Sequence, residues 1–217
     1  MNLTFPRLRA RTRRQFVAGA MAAAFLAPLS AVPAAAQGSA AAQRIADHFS
    51  SVKSMTGEFV QFGPKGEQTG GQFFISRPGK LRFNYEAPSS VRVIADGKSV
   101  AVGNAKLKTW ELYPLSTTPL KLLLSNRIDL SQQMVKSVKE DPDLITIVLG
   151  DKSIFGDSTI SMMFDPQSFE LKQWTIRDAQ GKDTSVMIYN VQTGVKFDPS
   201  VFEVPYKQAR PSTTLRN

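Results

Sequence analysis

A chain of 217 residues without a single cysteine has no disulfides to lean on, so its fold must rest on a hydrophobic core, and the length is sufficient for one. Its 27 Lys and Arg against 18 Asp and Glu give a formal charge of +9, a balance that would suit nucleic-acid binding. The distribution argues otherwise: five arginines fall before residue 15, and the 22 basic residues that follow exceed the 18 acids by only four, with no block of like charge. Lys106, Lys108, Lys121, Arg127, Lys136 and Lys139 read as a solvated surface, and no nucleic-acid partner is expected.

Residues 1–14 carry the five arginines and no acid, residues 16–31 form an uncharged apolar run, and Ala34-Ala35-Ala36 offers a small-x-small cleavage site before Gln37. This is the pattern of a secretory signal peptide over 1–36, which leaves a mature, soluble chain of 181 residues. Thr12-Arg13-Arg14-Gln15-Phe16-Val17 resembles a twin-arginine export motif; the other reading is the basic start of a general secretory signal. Either route ends in the periplasm. Without a cysteine the mature chain has no acylation site, which favours a diffusible protein over a lipid-tethered one.

Ile45, Phe49 and Val52 recur at helical spacing, so a short amphipathic helix is predicted over 40–54. Period-2 patterns then predict strands at 57–62, 72–76, 81–86, 91–95, 99–102 and 109–113. Five more follow at 135–139, 144–149, 159–165, 170–177 and 184–191. Gly, Pro, Asp and Asn signals separate them at about ten residues per strand and turn. The expected fold is mainly β with small helices: a single antiparallel curved sheet, or unclosed β-barrel, with a helical lid over an apolar cavity. One domain over 37–206 and a loose tail over 207–217 are predicted. Two helical pieces interrupt the meander, either as lids over its open mouth or as plugs that complete the core. Thr117-Thr118-Pro119 reads as a helix start before Leu120, Leu123 and Leu124, and 129–134 reads as a second short segment.

Catalytic chemistry finds little to work with. The single histidine, His48, lies beside an apolar helical stripe, and no Gly-x-Ser-x-Gly elbow accompanies it. The acids are scattered at turns rather than clustered as metal ligands, and Asp96-Gly97-Lys98-Ser99 lacks the first glycine of a phosphate loop and reads as a hairpin turn. No enzyme activity, metal or cofactor is expected. Binding has more support. Phe59, Phe73, Ile75, Leu81, Phe83 and Tyr85 alternate along the early strands, as do Trp110, Met162, Phe164, Trp174 and Ile176 later. Each alone would serve as core. Together they exceed what the few helical residues could cover, so they are expected to line the apolar cavity, where methionine suits varied ligands. Arg77 falls on the same face as Phe73 and Ile75, an odd place for a guanidinium unless a partner takes its donors; ending the strand at Pro78 would instead let it reach solvent.

The order of these features resembles the LolA family of periplasmic lipoprotein carriers. The resemblance runs from VKSMTGEFVQ at 52–61, through the Gly-x-apolar pattern that ends in Arg77-Pro78, the aromatic strand Leu81, Phe83, Tyr85 and the Asp96-Gly97 turn, to KTWELYP at 108–114 and PLKLLL at 119–124. The chain departs from the family at Val100-Ala101-Val102, where an aromatic pair is common, and at Leu81 and Phe83, where bulkier aromatics are common. By this resemblance Leu120, Leu123 and Leu124 belong to a lid, and Arg77 is its latch, bonding to lid backbone carbonyls. The resemblance also implies acylated lipoproteins as cargo, an inner-membrane ABC-type release complex that loads the carrier, an outer-membrane acceptor, and a monomer. The alternatives are a carrier of free lipid or glycolipid, and an envelope sensor of lipoproteins.

Overall fold

The computed structural model describes residues 35–211, except 105, 129 and 131–133. The signal segment, apart from Ala35 and Ala36, and residues 212–217 of the tail lie outside this range, as does most of the short helix predicted over 129–134.

Helix α1 (Ala35–Ser51) leads into strand β1 (Ser54–Phe62). It stops where Ser50 and Ser51 turn their hydroxyls back onto the carbonyls of Ala46 and His48, at 2.6 Å each. Val52, predicted inside the helix, therefore lies just past it and packs against the core from there. Strands β2 (Gln68–Ser76), β3 (Lys80–Tyr85), β4 (Val91–Asp96), β5 (Ser99–Asn104) and β6 (Thr109–Pro114) continue the meander. A 3-10 turn (Leu115–Thr117) and helix α2 (Leu120–Leu123) follow, then β7 (Val135–Glu140) and β8 (Ile145–Leu149). Helix α3 (Lys152–Phe155), unforeseen in the sequence, precedes β9 (Thr159–Phe164), β10 (Leu171–Arg177) and β11 (Asp183–Thr193). A second 3-10 turn (Pro199–Phe202) leads to β12 (Ala209–Pro211).

All twelve strands belong to one sheet, in the order β12-β6-β5-β4-β3-β2-β1-β11-β10-β9-β8-β7. Every pairing is antiparallel except β12 on β6, a short parallel strand within the tail read as loose from the sequence. The sheet is unclosed, and the free edge at β7 lies at the opposite end from β6. The chain between them, 115–134, thus has to cross from one end of the sheet order to the other. The apolar lid signal was placed on that crossing.

The sheet curls tightly. Phe83 on β3 and Trp174 on β10 are four strands apart in the pairing order, about 19 Å in a flat sheet, yet their rings stack with centroids 6.1 Å apart. Curvature brings the inner-face side chains together into one cluster, which α1 contributes to through Ala42, Ile45, Ala46 and Phe49. The opposite, outer face carries a second small cluster of Ile94, Ala101 and Val204, with Trp110 and Leu112 against it. It is covered by the segment after β11, where Phe197 packs edge-on against Phe74 and Phe202.

Candidate functional site

Alternation along β2 carries Phe73, Ile75 and Arg77 to the inner face, and all three are buried. Arg77 is only 6% exposed. Its guanidinium lies 3.8 Å from the ring centroid of Phe49 on α1, a stacked cation–π contact. Nη1 donates to the carbonyl of Val52 at 2.6 Å, and Nε donates to the carbonyl of Leu123 at 3.2 Å. Nη2 is buried without a hydrogen-bond partner among the described residues. Burial pushes the guanidinium pKa down to about 10, still high enough to keep it charged at neutral pH.

Two residues on, Gly79 adds a second bond to the same segment: its amide donates to the carbonyl of Leu124 at 2.8 Å. Gly79 sits at φ +78, and a Cβ there would meet Cα of Gly97 at 2.6 Å. The turn after Arg77-Pro78 is thus packed backbone to backbone against the Asp96-Gly97 turn, which only glycine permits. The side chain of Asp96 caps that hairpin turn, accepting from the amides of Lys98 and Ser99 at 2.9 Å each. The helix α2 that these bonds hold has four residues, and Leu122, Leu123 and Leu124 at its end are buried in the inner cluster with Leu120 half-buried beside them. Thr117 and Thr118 do not cap it as predicted; their hydroxyls donate backward to the carbonyls of Pro114 and Leu115, because the 3-10 turn offers those acceptors first.

Of the predicted lining residues, Phe59, Phe73, Ile75, Leu81, Met162 and Phe164 are fully buried, Phe83, Tyr85 and Trp174 nearly so, and Ile176 packs partly buried against them. Phe59 centres this array, 4.6 Å from the Phe83 ring and 5.1 Å, edge-on, from Tyr85. The phenol among them is satisfied: Tyr85 donates to Oε1 of Gln61 at 2.7 Å, and burial pushes its pKa up to about 12. Trp110 is a correction. It packs on the outer face, lying over Gly103 and against the Ile94, Ala101 and Val204 cluster, because the register of β5 with β6 turns Tyr113, not Trp110, toward the inner cluster beside Val100.

A cavity of about 200 Å³ opens beside Arg77, walled by Phe49, Met55, Phe164, Leu171 and Ile188, with Lys172 and Glu170 at its rim. Of its walls only Phe164 was among the predicted cavity residues. Phe49 was visible on the helical stripe, whereas Met55 and Ile188 meet only through the pairing of β1 with β11. Among the described residues no group of three or more His, Asp or Glu could hold a metal ion, and no helix is long and apolar enough to cross a membrane.

Residues 50–205 match the family model described as outer membrane lipoprotein carrier protein LolA. The chain belongs to the LolA family. A curated relative from Pseudomonas paraeruginosa, an outer-membrane lipoprotein carrier protein, is 25% identical over 186 residues, covering 78% of this chain and 86% of its own. Another of the same description, from Chromohalobacter salexigens, is 27% identical over 190 residues, covering 81% of this LolA-family chain and 89% of its own. Among solved structures, a LolA superfamily protein of Nitrosomonas europaea overlays with a TM-score of 0.43 at 10% identity, covering 76% of this chain and 98% of that one.

Proposed function

We propose that this chain is a periplasmic carrier that takes lipoproteins released from the inner membrane by their acyl chains and delivers them to the outer membrane. The observation that carries the reading is the buried Arg77, which ties the crossing segment shut over an aromatic inner face through Leu123, with Gly79 tying Leu124 beside it. Membership of the LolA family agrees with it.

The physical requirement is severe. Exposing acyl chains to water costs about 0.8 kcal/mol per methylene, so three chains of about fifteen carbons would cost on the order of 35 kcal/mol outside a membrane. A carrier substitutes its inner face for the bilayer and must still release the load, so its open and closed forms have to lie within a few kcal/mol of each other. In the closed form described here the inner side chains pack on one another and on Leu123 and Leu124. Acyl chains would enter by displacing those leucines, the inner-face side chains, among them Phe59, Phe73, Phe83, Trp174 and Ile176, would become the lining, and Arg77 is the latch that opening breaks. An inner-membrane ABC-type complex would load the carrier and an outer-membrane acceptor would empty it; no cofactor enters the cycle.

The test is native mass spectrometry of the mature protein purified from periplasm. A triacylated lipoprotein bound one to one is the expected result. Bound phospholipid or glycolipid would instead make it a carrier of free lipid, and a protein that stays empty when offered purified lipoprotein would sink the carrier reading.

A further inference from the structure

We propose that the cavity between α1 and the β10–β11 strands is an effector site for a short single-chain carboxylate, which holds the lid closed. Its walls are apolar, with Phe49, Met55, Phe164 and Ile188 among them, and at about 200 Å³ it belongs to the size class that accepts a benzene-sized body or a short alkyl chain. One wall is Arg77, a side chain more than nine-tenths buried whose Nη2 has no hydrogen-bond partner among the described residues. That Nη2 is the only buried side-chain nitrogen or oxygen without a partner among the described residues, and an anionic oxygen is the partner that suits a guanidinium best. The surroundings favour an anion as well: at the rim Lys172 is paired with Glu170 at 2.9 Å, which cancels those two charges and leaves Arg44, standing over the rim residue Phe169 at 5.8 Å, as the excess positive charge.

The sign of the effect follows from which donors are already engaged. Nε holds Leu123 and Nη1 holds Val52, while Nη2 lies just beneath the cavity wall, closed to solvent, so a carboxylate reaches it through a small shift of that wall with both existing bonds kept. Among the described residues none of the crossing segment lines the cavity, so an occupant has no need to lift the lid. A ligand that binds the closed form better shifts the population toward it, and by reciprocity weakens whatever requires the open form. Only this last consequence, slower cargo loading, rests on the carrier reading; the site and its ligand stand without it.

The probe is octanoate, added to the mature chain labelled with nitrogen-15, with the amide exchange of Gly79 as the reporter of the bond to Leu124. Octanoate is expected to bind with Kd on the order of 0.1–1 mM and to slow Gly79 exchange about tenfold. Methyl octanoate should bind about tenfold more weakly, and Lys172→Glu, an exposed change away from the latch, should weaken octanoate about threefold. Faster Gly79 exchange with octanoate bound would overturn the proposal: the chain would then enter beneath the lid as cargo does, leaving the carrier reading intact. Equal binding of the methyl ester would also overturn it, pointing to the ester carbonyl of an acylated lipid. So would the absence of saturable shifts at Ile188 and Met55 up to about 10 mM, a concentration that detects even Kd values well above 1 mM.

Discussion

The sheet has two covers, and they are fastened differently. On the inner face, residues 120–124 lie over the aromatic cluster through apolar packing and, among the described residues, two hydrogen bonds from the rest of the fold, both from the Arg77-Pro78-Gly79 turn, while the flanking Leu115 amide donates to the carbonyl of Lys98 at 2.9 Å. On the outer face, the segment from Gly194 to Pro211 is stitched at separate points. Phe197 meets Phe74, Phe202 and Val204 are buried, Arg82 donates to the carbonyl of Val201 at 3.1 Å, Tyr206 donates to Asp96 at 2.6 Å, and β12 pairs with β6. A cover fastened at one turn can be released by one event, whereas a cover fastened along its length comes away only when the sheet does. In the carrier cycle proposed above the inner cover is the one that moves, and its fastening is where occupancy of the fold would be sensed.

The largest expected effect lies on the fixed cover. Phe202→Ala should cost about 3–5 kcal/mol in a urea titration while leaving Gly79 exchange under native conditions unchanged. An accelerated Gly79 amide in that variant would mean that the two covers are coupled through the sheet. Gly79→Ala comes next, since it forces a side chain into the left-handed region and onto Gly97, a loss of about 2–3 kcal/mol with the lid bond to Leu124 weakened. Crystals of the variant should show the two turns moved apart.

Arg77→Leu separates local from global stability. Removing the guanidinium leaves two carbonyls without their donor but also removes a costly buried charge, so the urea midpoint should move less than in Phe202→Ala. Gly79 exchange should nonetheless quicken about 10–100-fold and lipoprotein transfer should fall, with far-UV circular dichroism unchanged. Normal transfer by this variant would remove Arg77 from the mechanism.

Tyr206→Phe is the smallest, about 1 kcal/mol at neutral pH from the lost bond to Asp96. Burial alone would raise the Asp96 pKa, but hydrogen bonds from the Ser99 amide, Tyr206 and the Lys98 amide outweigh it and hold the value below the ordinary 3.8. A carboxylate with a lowered folded pKa contributes stability that is full above 3.8 and lost as pH falls through the folded value. The acid limb of the unfolding profile should therefore be shallower in Tyr206→Phe than in the parent; identical limbs would show that the bond does not form in solution.

Much of this was legible in the chain. Strict alternation at Leu81, Phe83 and Tyr85, the glycine-rich approach to Arg77-Pro78, and the Asp96-Gly97 turn identify a half-buried meander, because period-2 patterning and turn chemistry are local properties. The same patterning placed Arg77 with Phe73 and Ile75. Trp110 shows where it stops. Period 2 says that Trp110 and Leu112 share a side, but the side itself is set by register against β5 and by an outer cover that makes that face apolar too. The short strand at Ala209–Pro211 was unreadable for a similar reason: three residues have no period, and only the β6 edge gives them structure.

What the sequence determined by itself was therefore a curved sheet with one aromatic face, an apolar crossing segment and a basic residue in register with that face, at a strand end where it could also have turned to solvent. Only the tertiary structure decided what that residue does. Phe49 and Val52, Arg77, and Leu123 come from three separate stretches of chain, and each hydrogen bond runs to a backbone carbonyl, a group that every residue carries and that no side-chain pattern reveals. The unfilled Nη2 and the cavity beside it are likewise products of packing, set by how α1 rests on the end of the sheet rather than by any motif.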